Sequence, residues 1–394
     1  MAKPRVLFIT PLPPPVHGSA MVSQYIKDSQ LVNEAFECDF VNLSTSRRMD
    51  EIGKGGVKKL LRFIGSYFAL LGKLLTHRYD LCYLAITCHD MGFLKDAPFV
   101  LLCKLFRRKV LIHQHNKGMS GCVERWPYRW LLSLVYRNTT VMLLSWHLYD
   151  DIAKVVSREQ VVICPNGIPE QAVGHWPLAV GSRDDDNGDD NEDEDENDDS
   201  KHYTLNTKQI RAPRLLFLSN LIPSKGVYVL LAACRILSER GLDFVCDFVG
   251  GESKEIDRAA FEAAIAKRGL GDRVVYHGPK YGEDKNRFFA QADMFVQPTY
   301  DDCFPLTLVE AMQWRLPIVS TDVGAIPDMV NDGENGFVCQ QRDVDSLVEA
   351  LALLIADPAL CTAMGERGYL RYQELYTLEA FEKRFAMLIQ QSCG

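Results

Sequence analysis

The chain has 394 residues, 47% of them hydrophobic, which is enough for two globular domains with well-filled cores. Its twelve cysteines show neither Cys-x-x-Cys nor zinc-like spacing, which argues against a disulfide scaffold or a zinc domain and predicts reduced thiols in a cytoplasmic protein. The formal net charge of −8 identifies no partner, because residues 184–199 carry twelve acids and no base, and without that tract the charge is +4.

The N-terminal segment is apolar only from Val6 to Ile9, which is too short for a signal peptide and indicates a first β-strand. The longest candidate for a spanning helix, Phe63–Gly72, lies between Arg62 and Lys73. It falls well below the roughly 18 uncharged apolar residues that a membrane span requires. We therefore expect neither a signal peptide nor a transmembrane segment.

Two similar halves follow, and each opens with an apolar strand and a loop that contains glycine. In the first half, strand Arg5–Thr10 precedes a proline-rich loop and Gly18, where backbone N–H groups could approach a diphosphate or an acceptor. In the second half, strand Arg214–Ser219 precedes a loop that ends in Lys225-Gly226 and then a helix, Val227–Arg240. Strand, glycine loop and helix form the opening unit of a doubly wound parallel sheet. The sequence thus predicts an α/β protein with two Rossmann-like domains that face each other across a cleft.

Further apolar segments of strand length alternate with helical patterns, as such domains require, and ligand is expected at the carboxyl ends of the strands. The predicted strands of the first half are Leu81–Ile86, Lys109–His113, Thr140–Leu144 and Val161–Cys164. The predicted strands of the second half are Phe244–Gly250, Val274–His277, Met294–Gln297 and Ile318–Thr321, and the helical patterns include Asn286–Gln291 and Val344–Ile355.

Residues 54–75 form a broad apolar helix pattern with added positive charge. One interpretation is a core-facing helix of the N-terminal domain. The other is peripheral attachment to an anionic membrane, and the two can coexist. The apolar stripe comprises Val57, Leu61, Ile64, Phe68, Leu71 and Leu75, and the bases are Lys54, Lys58, Lys59, Arg62 and Lys73.

Two histidines, His113 and His115, come at the end of the strand that begins at Lys109, and strand alternation places both imidazoles on one face. A metal site would need a third ligand of similar geometry, and none is adjacent in the sequence. The pair is therefore either structural or part of a ligand site, and no metal is predicted.

The junction between the halves is Val162–Ile168, a strand that ends in a Pro-Asn-Gly turn. The acidic tract 184–199 follows, and its self-repulsion and lack of apolar residues predict a disordered insertion. The predicted division is an N-terminal domain 1–165, a hinge with the insertion 166–211, a C-terminal domain 212–374 and a terminal helix 375–394.

Lys225 lies just before a helix, behind a turn, where its ammonium group can put positive charge on a leaving diphosphate. The alternative is an ordinary surface lysine.

The most informative segment is 302–312, in which Asp302 and Glu310 lie eight positions apart around a loop that runs into an apolar helix. A helix N-terminus presents unpaired N–H groups and partial positive charge, and it therefore suits a phosphate. The two acids could hold hydroxyls on either side of that phosphate, which is the layout of a nucleotide sugar. The alternative is that Glu310 only caps or solvates the helix.

At these residues the chain resembles the retaining glycosyltransferases of family 4, which have the GT-B fold, and the likeness is strongest from Leu215 to Phe337. The family signature is Glu, seven residues, Glu, and Asp302 stands here in place of the first Glu. The resemblance implies that Glu310 binds the ribose hydroxyls and that Asp302 contacts the donor sugar. It also implies that the sugar and diphosphate meet backbone amides of the intervening loop, from Phe304, Pro305, Leu306 and Thr307.

The same resemblance assigns three further features. Family members carry an Arg–Lys pair where this chain has Asn220 and Lys225, so Asn220 takes the position of a diphosphate-binding cation. A histidine at the strand end lies near the donor sugar in the family, and His115 fits best, with His113 as the second choice. The C-terminal helix from about Leu375 is expected to cross back onto the N-terminal domain.

The implied activity is transfer of a glycosyl group from a nucleoside-diphosphate sugar to an acceptor hydroxyl, with retention of configuration and with no metal or other cofactor. The expected partners are a nucleotide sugar and a glycan or lipid-linked acceptor, and no nucleic acid. The expected setting is surface polysaccharide or glycolipid biosynthesis at the cytoplasmic face of the membrane. Asp302 and Asn220 depart from the family pattern, which leaves open a catalytically degenerate scaffold or sugar-nucleotide-binding protein. Another GT-B enzyme, such as an epimerase or a phosphorylase, is the remaining alternative.

Overall fold

The computed structural model describes residues 3–14, 18–44, 56–171 and 211–394. The acidic tract 184–199 and Lys54 lie outside these residues. The described chain forms two six-stranded sheets, and every strand pair in both sheets is parallel. The predicted α/β architecture of two doubly wound domains is confirmed.

The first sheet has the strand order β2-β1-β3-β4-β5-β6. Most of its strands are continuous apolar runs because helices cover both faces of the sheet. The strands are β1 (Arg5–Thr10), β2 (Glu37–Asn42), β3 (Leu81–Ala85), β4 (Lys109–Gln114), β5 (Thr140–Leu143) and β6 (Val161–Ile163).

Helices cover the two faces of this sheet in separate groups. One core contains Leu7, Leu84 and Ile112 from the sheet, and it is covered by three helices. The opposite core contains Phe8, Tyr83 and helices that include the last one of the chain. The first group is α3 (Val57–Thr76), α4 (Asp90–Leu105) and α5 (Tyr128–Tyr136), and the second is α1 (Gly18–Asp28), α2 (Gln30–Ala35) and α13 (Leu378–Cys393).

The second sheet has the order β12-β11-β10-β7-β8-β9, so the connection reverses direction between β7 and β10. Open parallel sheets bind ligands outside the carboxyl ends of the strands at such a switch point. Its strands are β7 (Arg214–Leu218), β8 (Val245–Val249), β9 (Val274–Tyr276), β10 (Met294–Val296), β11 (Ile318–Thr321) and β12 (Gly336–Cys339). Its helices are α6 (Val227–Glu239), α7 (Arg258–Lys267), α8 (Gly282–Gln291), α9 (Leu306–Gln313), α10 (Ile326–Met329), α11 (Val344–Ala356) and α12 (Pro358–Leu375).

The chain passes from the first domain to the second after β6 and returns after α12, and the two crossing segments are hydrogen-bonded to each other. Ile168 donates a backbone hydrogen bond to the Tyr376 carbonyl at 3.0 Å, and Leu378 donates one back to Ile168 at 2.8 Å. Beyond this point α13 lies on the first sheet, where Phe385 packs against Phe8 with ring centroids 6.4 Å apart.

The apolar stripe predicted for residues 54–75 does not face the core. Helix α3 buries Leu70 and Leu74 and half-buries Phe63 and Tyr67. Of the stripe residues, only Leu71 packs against the core. The helix thus faces the core of the N-terminal domain, as one interpretation expected, but the stripe was placed wrongly, because the core-facing side lies about a quarter-turn around the helix from it. The other stripe residues are exposed: Val57, Leu61, Ile64, Phe68 and Leu75.

Two strands, β2 and β12, were missed by the sequence patterns, and each is one of the two edge strands of its sheet. The predicted strands all exist, with ends that differ by one residue at most. Within the described residues, no single helix is both long and apolar enough to cross a membrane. Taken together, α11 and α12 are long and apolar enough by length and composition alone, but the pair is bent by 105°. All twelve cysteines carry free thiols.

Substituting Gly167 by Ala tests the paired crossings. A Cβ atom at this position would lie 2.3 Å from the Thr377 carbonyl oxygen and 2.7 Å from the Phe381 Cβ. We expect the free energy of unfolding to fall by about 1–3 kcal/mol, because neither atom can move away without shifting the backbone. Urea denaturation measures the change. Gly72→Ala is the matched control, since nothing lies within 4 Å of that position and alanine favours a helix. Equal stability of Gly167→Ala and the parent protein would contradict the close packing of the crossings.

Candidate functional site

The predicted site residues of the second domain gather at the carboxyl ends of β7 and β10, which is the switch point of the sheet. Lys225 belongs to the turn between β7 and α6, and Asp302 to the loop between β10 and α9. Glu310 lies in the second turn of α9. The polar groups thus sit where the strand order of the second sheet reverses.

An ion pair joins two of the predicted residues. The Lys225 Nζ lies 2.6 Å from the Asp302 Oδ2, and the side chains are 22% and 15% exposed. The same ammonium donates to the Asp301 carbonyl at 3.0 Å, and Gln297 Nε2 donates to the Asp302 Oδ2 at 3.3 Å. The carboxylate is therefore held by two side chains, and the lysine faces the loop that carries it.

The turn of Lys225 is fixed by the glycine that follows it. Gly226 has a φ of 85°, in the left-handed region, and a Cβ there would lie 2.1 Å from the Pro298 carbonyl oxygen. Only glycine fits this close approach between the first loop and the end of β10. The approach brings the Lys225 ammonium to the loop after β10.

The second acid is paired in the same way. The Glu310 Oε1 accepts from the Lys285 Nζ at 2.6 Å, and the side chains are 18% and 20% exposed. Lys285 lies in the first half of α8 and was not predicted, because nothing in its sequence neighbourhood distinguishes it from a surface lysine. Tyr25 of α1 approaches from the first domain. Burial raises the pKa of Tyr25, and the Glu310 charge adds to the rise.

The loop predicted to meet a donor is rigidly packed. Phe304 is buried and contacts the Tyr376 ring, with centroids 6.0 Å apart. Pro305 precedes the first helical residue, Leu306, and Thr307 donates its hydroxyl hydrogen to the Gln297 Oε1 at 2.8 Å. The amino end of α9 is thereby fixed at the rim of the sheet.

Asn220 has an anchoring contact that the sequence did not predict. Its Oδ1 accepts from the Gly251 N–H at 2.9 Å, which ties the loop after β7 to the loop after β8. One lone pair of the side-chain carbonyl is used within the protein, and the amide hydrogens are the donors that Asn220 could offer a phosphate.

The two histidines differ in their surroundings. His113 is fully buried, and its Nδ1 forms a 2.7 Å hydrogen bond with the Tyr83 hydroxyl. Burial and the neighbouring His115 lower the pKa of His113 well below the usual range. His115 directly follows β4 and is half-buried, with its ring centroid 3.9 Å from that of His113. His113 therefore belongs to the core, and His115 lies at the carboxyl end of the strand.

The first domain meets this site from the opposite side. A Cβ atom at Gly18 would lie 3.8 Å from the Leu306 Cδ1, so the loop after β1 reaches the start of α9. Lys117, two residues after His115, forms a 3.1 Å ion pair with Asp301. The structure therefore brings Gly18 to Leu306 and the His115 segment to the loop of Asp302.

A third contact between the domains involves Asp328 of α10. It accepts a short hydrogen bond from the Ser145 hydroxyl, and its carboxylate lies 3.3 Å from the His147 Nε2. Across the described ranges, no three His, Cys, Asp or Glu side chains are grouped so that they could hold a metal ion.

These features define a GT-B fold, and comparisons with solved structures agree over nearly the whole chain. The chain resembles a sucrose-phosphate synthase from Thermosynechococcus elongatus with a TM-score of 0.72 and 17% identity, covering 99% of each chain. It also resembles the Anabaena protein HepE in complex with UDP, with a TM-score of 0.70 and 15% identity, covering 98% of this chain and 100% of the other. At such identities the likeness establishes the fold alone.

Sequence comparison is more specific for the second domain. Residues 200–371 match the family described as glycosyl transferases group 1. The chain is 33% identical over 118 residues to the lipopolysaccharide core biosynthesis mannosyltransferase LpcC of Rhizobium leguminosarum bv. viciae. That alignment covers 30% of this chain and 33% of the relative. The chain thus spans about a third of the length of the curated relatives that it matches.

A double-mutant cycle tests the unpredicted ion pair. We expect Lys285→Met and Glu310→Gln each to lower the free energy of unfolding, and the pair to show a coupling energy of about 1–2 kcal/mol, because both charges are largely buried. Urea denaturation of the four proteins measures it. The control pair is Arg235–Glu239, which has a similar distance of 2.7 Å but is more than half exposed, and its expected coupling is about 0.3–0.5 kcal/mol. Equal coupling in the two cycles would show that burial adds nothing to the Lys285–Glu310 pair.

Proposed function

We propose that this protein transfers a glycosyl group from a nucleoside-diphosphate sugar to an acceptor hydroxyl, with retention of the anomeric configuration. The observation that carries the proposal is the meeting of Lys225 and Asp302 at the switch point of the second sheet, with Glu310 and the amino end of α9 beside them. The group 1 glycosyl transferase match of residues 200–371 supports the same conclusion, because it covers all of these residues.

In this proposal the second domain binds the donor. Glu310 accepts hydrogen bonds from the ribose hydroxyls, since an ionised carboxylate offers four acceptor positions and Lys285 occupies only one oxygen. Asp302 holds a hydroxyl of the donor sugar. The backbone N–H groups at the start of α9, from Leu306 and Thr307, bind the diphosphate together with the positive end of the helix dipole.

Lys225 stabilises the leaving diphosphate. An ammonium group has three hydrogens, and Asp302 and the Asp301 carbonyl accept two of them. The third can reach a phosphate oxygen without loss of the existing ion pair. Positive charge fixed in advance beside the developing negative charge lowers the barrier to bond cleavage.

In this proposal the first domain binds the acceptor and closes over the donor site. His115 lies over the sugar and Gly18 lets the backbone approach the diphosphate. This placement is in accord with the ion pair between Lys117, two residues after His115, and Asp301, and with the closeness of Gly18 to Leu306. As the nucleoside diphosphate departs, the sugar becomes oxocarbenium-like. The acceptor hydroxyl then attacks from the same face and gives its proton to a leaving phosphate oxygen. Exclusion of water by closure of the cleft favours transfer over hydrolysis.

We propose that this chemistry uses no metal or other cofactor, because Lys225 and the amino end of α9 provide the positive charge that the diphosphate needs. We further propose a cytoplasmic setting in surface polysaccharide or glycolipid biosynthesis, with a glycan or lipid-linked acceptor and no nucleic acid. The biosynthetic part of this proposal is supported by relatives such as LpcC, which is named for lipopolysaccharide core biosynthesis.

A second candidate is a GT-B protein that binds a sugar nucleotide without turnover. The observation in its favour is that Asn220, which replaces a cation of the family pattern, uses its side-chain oxygen to hold Gly251. The diphosphate clamp therefore has one positive charge fewer. Binding and turnover must be measured separately to distinguish the two candidates.

Donor binding is the first test. We expect one member of a panel of uridine, guanosine and adenosine diphosphate sugars to bind at micromolar level by calorimetry. Glu310→Ala should lose that binding by at least about tenfold, because the ribose hydroxyls lose their charged acceptor. Glu366→Ala, on the outer helix α12, is the matched control and should bind as the parent does. Absence of binding by every donor would overturn the proposal.

Turnover tests the role of Lys225. We expect Lys225→Ala to reduce kcat by about 10²–10³ in a closed site, because the leaving diphosphate loses its fixed cation. Lys267→Ala, an exposed lysine of α7, is the matched control. Release of nucleoside diphosphate at saturating donor and acceptor measures the rate. Full turnover by Lys225→Ala would remove this residue from the mechanism, and donor binding without turnover by the parent protein would favour the second candidate.

A further inference from the structure

We propose that the outer surface of α3, α4 and α5 is a docking face for an anionic lipid bilayer. This face belongs to the first domain, on the side of the sheet opposite α13, and we call it the α3–α5 face. The sequence pointed to residues 54–75 alone, whereas the structure adds α5 and the end of α4. The inference does not depend on the proposed transfer reaction.

The apolar stripe of α3 is exposed along the whole helix. Leu61, Phe68 and Leu75 are 62%, 63% and 67% exposed, and Leu60 and Ile64 are exposed beside them. A helix with an exposed apolar stripe on a domain surface is typical of an interaction site.

The neighbours of α3 show which way this stripe points. Lys73 binds Asp39 and Ser66 donates to the Asn42 carbonyl, so one flank of the helix faces β2. Phe63 and Tyr67 pack on Phe99, so the other flank faces α4. Because the helix turns by about 100° per residue, the stripe lies on the solvent side beyond the α4 flank.

Two tryptophans extend the apolar surface on the far side of α4. Trp126, just before α5, and Trp130, within it, are 88% and 66% exposed, and the exposed Leu134 lies one turn after Trp130. Leu105, at the end of α4, is also exposed. Indole rings favour the boundary between lipid tails and head groups, where one edge stays hydrated.

The charge of this surface complements an anionic membrane. Helices α3 and α5 contain no acid at all, and each carries bases. Two described acids near α5 are paired within the protein: Asp90 with Arg125 at 2.6 Å and Glu124 with Lys154 at 2.7 Å. The bases on this face and at its edge are Lys58, Arg107, Arg129 and Arg137, whereas Lys59 and Arg62 lie toward the β2 flank of α3.

The same charge argues against a second copy of the chain as the occupant. Two copies joined symmetrically through this face would bring like charges together, which costs free energy. Anionic head groups instead attract each base near the surface, and the exposed Trp, Phe and Leu side chains can enter the acyl boundary.

Vesicle binding tests the proposal with the full-length chain. We expect sedimentation with vesicles of phosphatidylcholine containing about a third phosphatidylglycerol to be at least about tenfold stronger than with phosphatidylcholine alone. The double variants Leu61→Ser/Phe68→Ser and Trp126→Ser/Trp130→Ser should each bind the anionic vesicles at least about tenfold less. The matched control is Leu353→Ser/Leu370→Ser, two exposed leucines of the second domain, and it should bind as the parent does.

Each outcome has a defined meaning. An unchanged tryptophan variant would remove α5 from the face, and absence of vesicle binding by the parent would overturn the proposal. A concentration-dependent dimer that both variants abolish, without vesicle binding, would assign the face to a second copy instead. Thermal unfolding verifies that the variants fold. Calorimetry of the same proteins with the panel of nucleoside-diphosphate sugars reports on the donor site separately, so failure of one proposal does not imply failure of the other.

Discussion

Two largely buried carboxylates beside one cleft each need a positive partner, and the positions of the two lysines at the site follow from this requirement. An unpaired charge in such surroundings would cost several kcal/mol. Lys225 meets Asp302 from the turn after β7, and Lys285 meets Glu310 from α8. The turn and helix that carry the lysines therefore have to converge on the amino end of α9. The two lysines neutralise the two carboxylates before a ligand binds. A diphosphate therefore adds negative charge beside cations whose positions are already fixed.

The loop that carries Asp302 is held from both domains. Lys225 binds it from within the second domain, and Lys117 reaches it from the first through Asp301. A ligand in the cleft would thus contact groups whose mutual distances depend on the angle between the domains. Ser145 and His147 hold Asp328 at a separate point, and this contact limits the same angle. Because both contacts bridge the two domains, an opening of the cleft at these points would break polar bonds that are only partly exposed.

The sequence predicted what local pattern can specify. Central strands of a parallel sheet are buried on both faces, so Arg5–Thr10 and Ile318–Thr321 appear as apolar runs whose ends match the structure. The edge strands β2 and β12 are only partly buried and gave no such pattern, because β2 mixes charged and apolar residues and β12 is a four-residue strand that begins with glycine. Likewise, Asp302 and Glu310 share one short motif, whereas Lys285 reaches Glu310 only through the packing of α8 on the sheet. Periodicity also found an apolar stripe on α3, but it could not decide which of two adjacent sides the neighbouring helix would cover.

The exposed apolar side of α3 links the fold to the proposed docking of the protein on a membrane. A helix at the edge of a sheet needs only one apolar side to pack, and α3 meets this need with Phe63, Tyr67, Leu70 and Leu74. A second, exposed apolar side adds nothing to the core and raises the risk of aggregation. Its presence beside the exposed tryptophans of α5 therefore requires a separate explanation. The domain that carries this surface also carries Gly18 and His115, on the acceptor side of the proposed reaction. A bilayer bound there would hold a lipid-linked acceptor on the same domain that receives it, while the second domain stays free to exchange nucleotide.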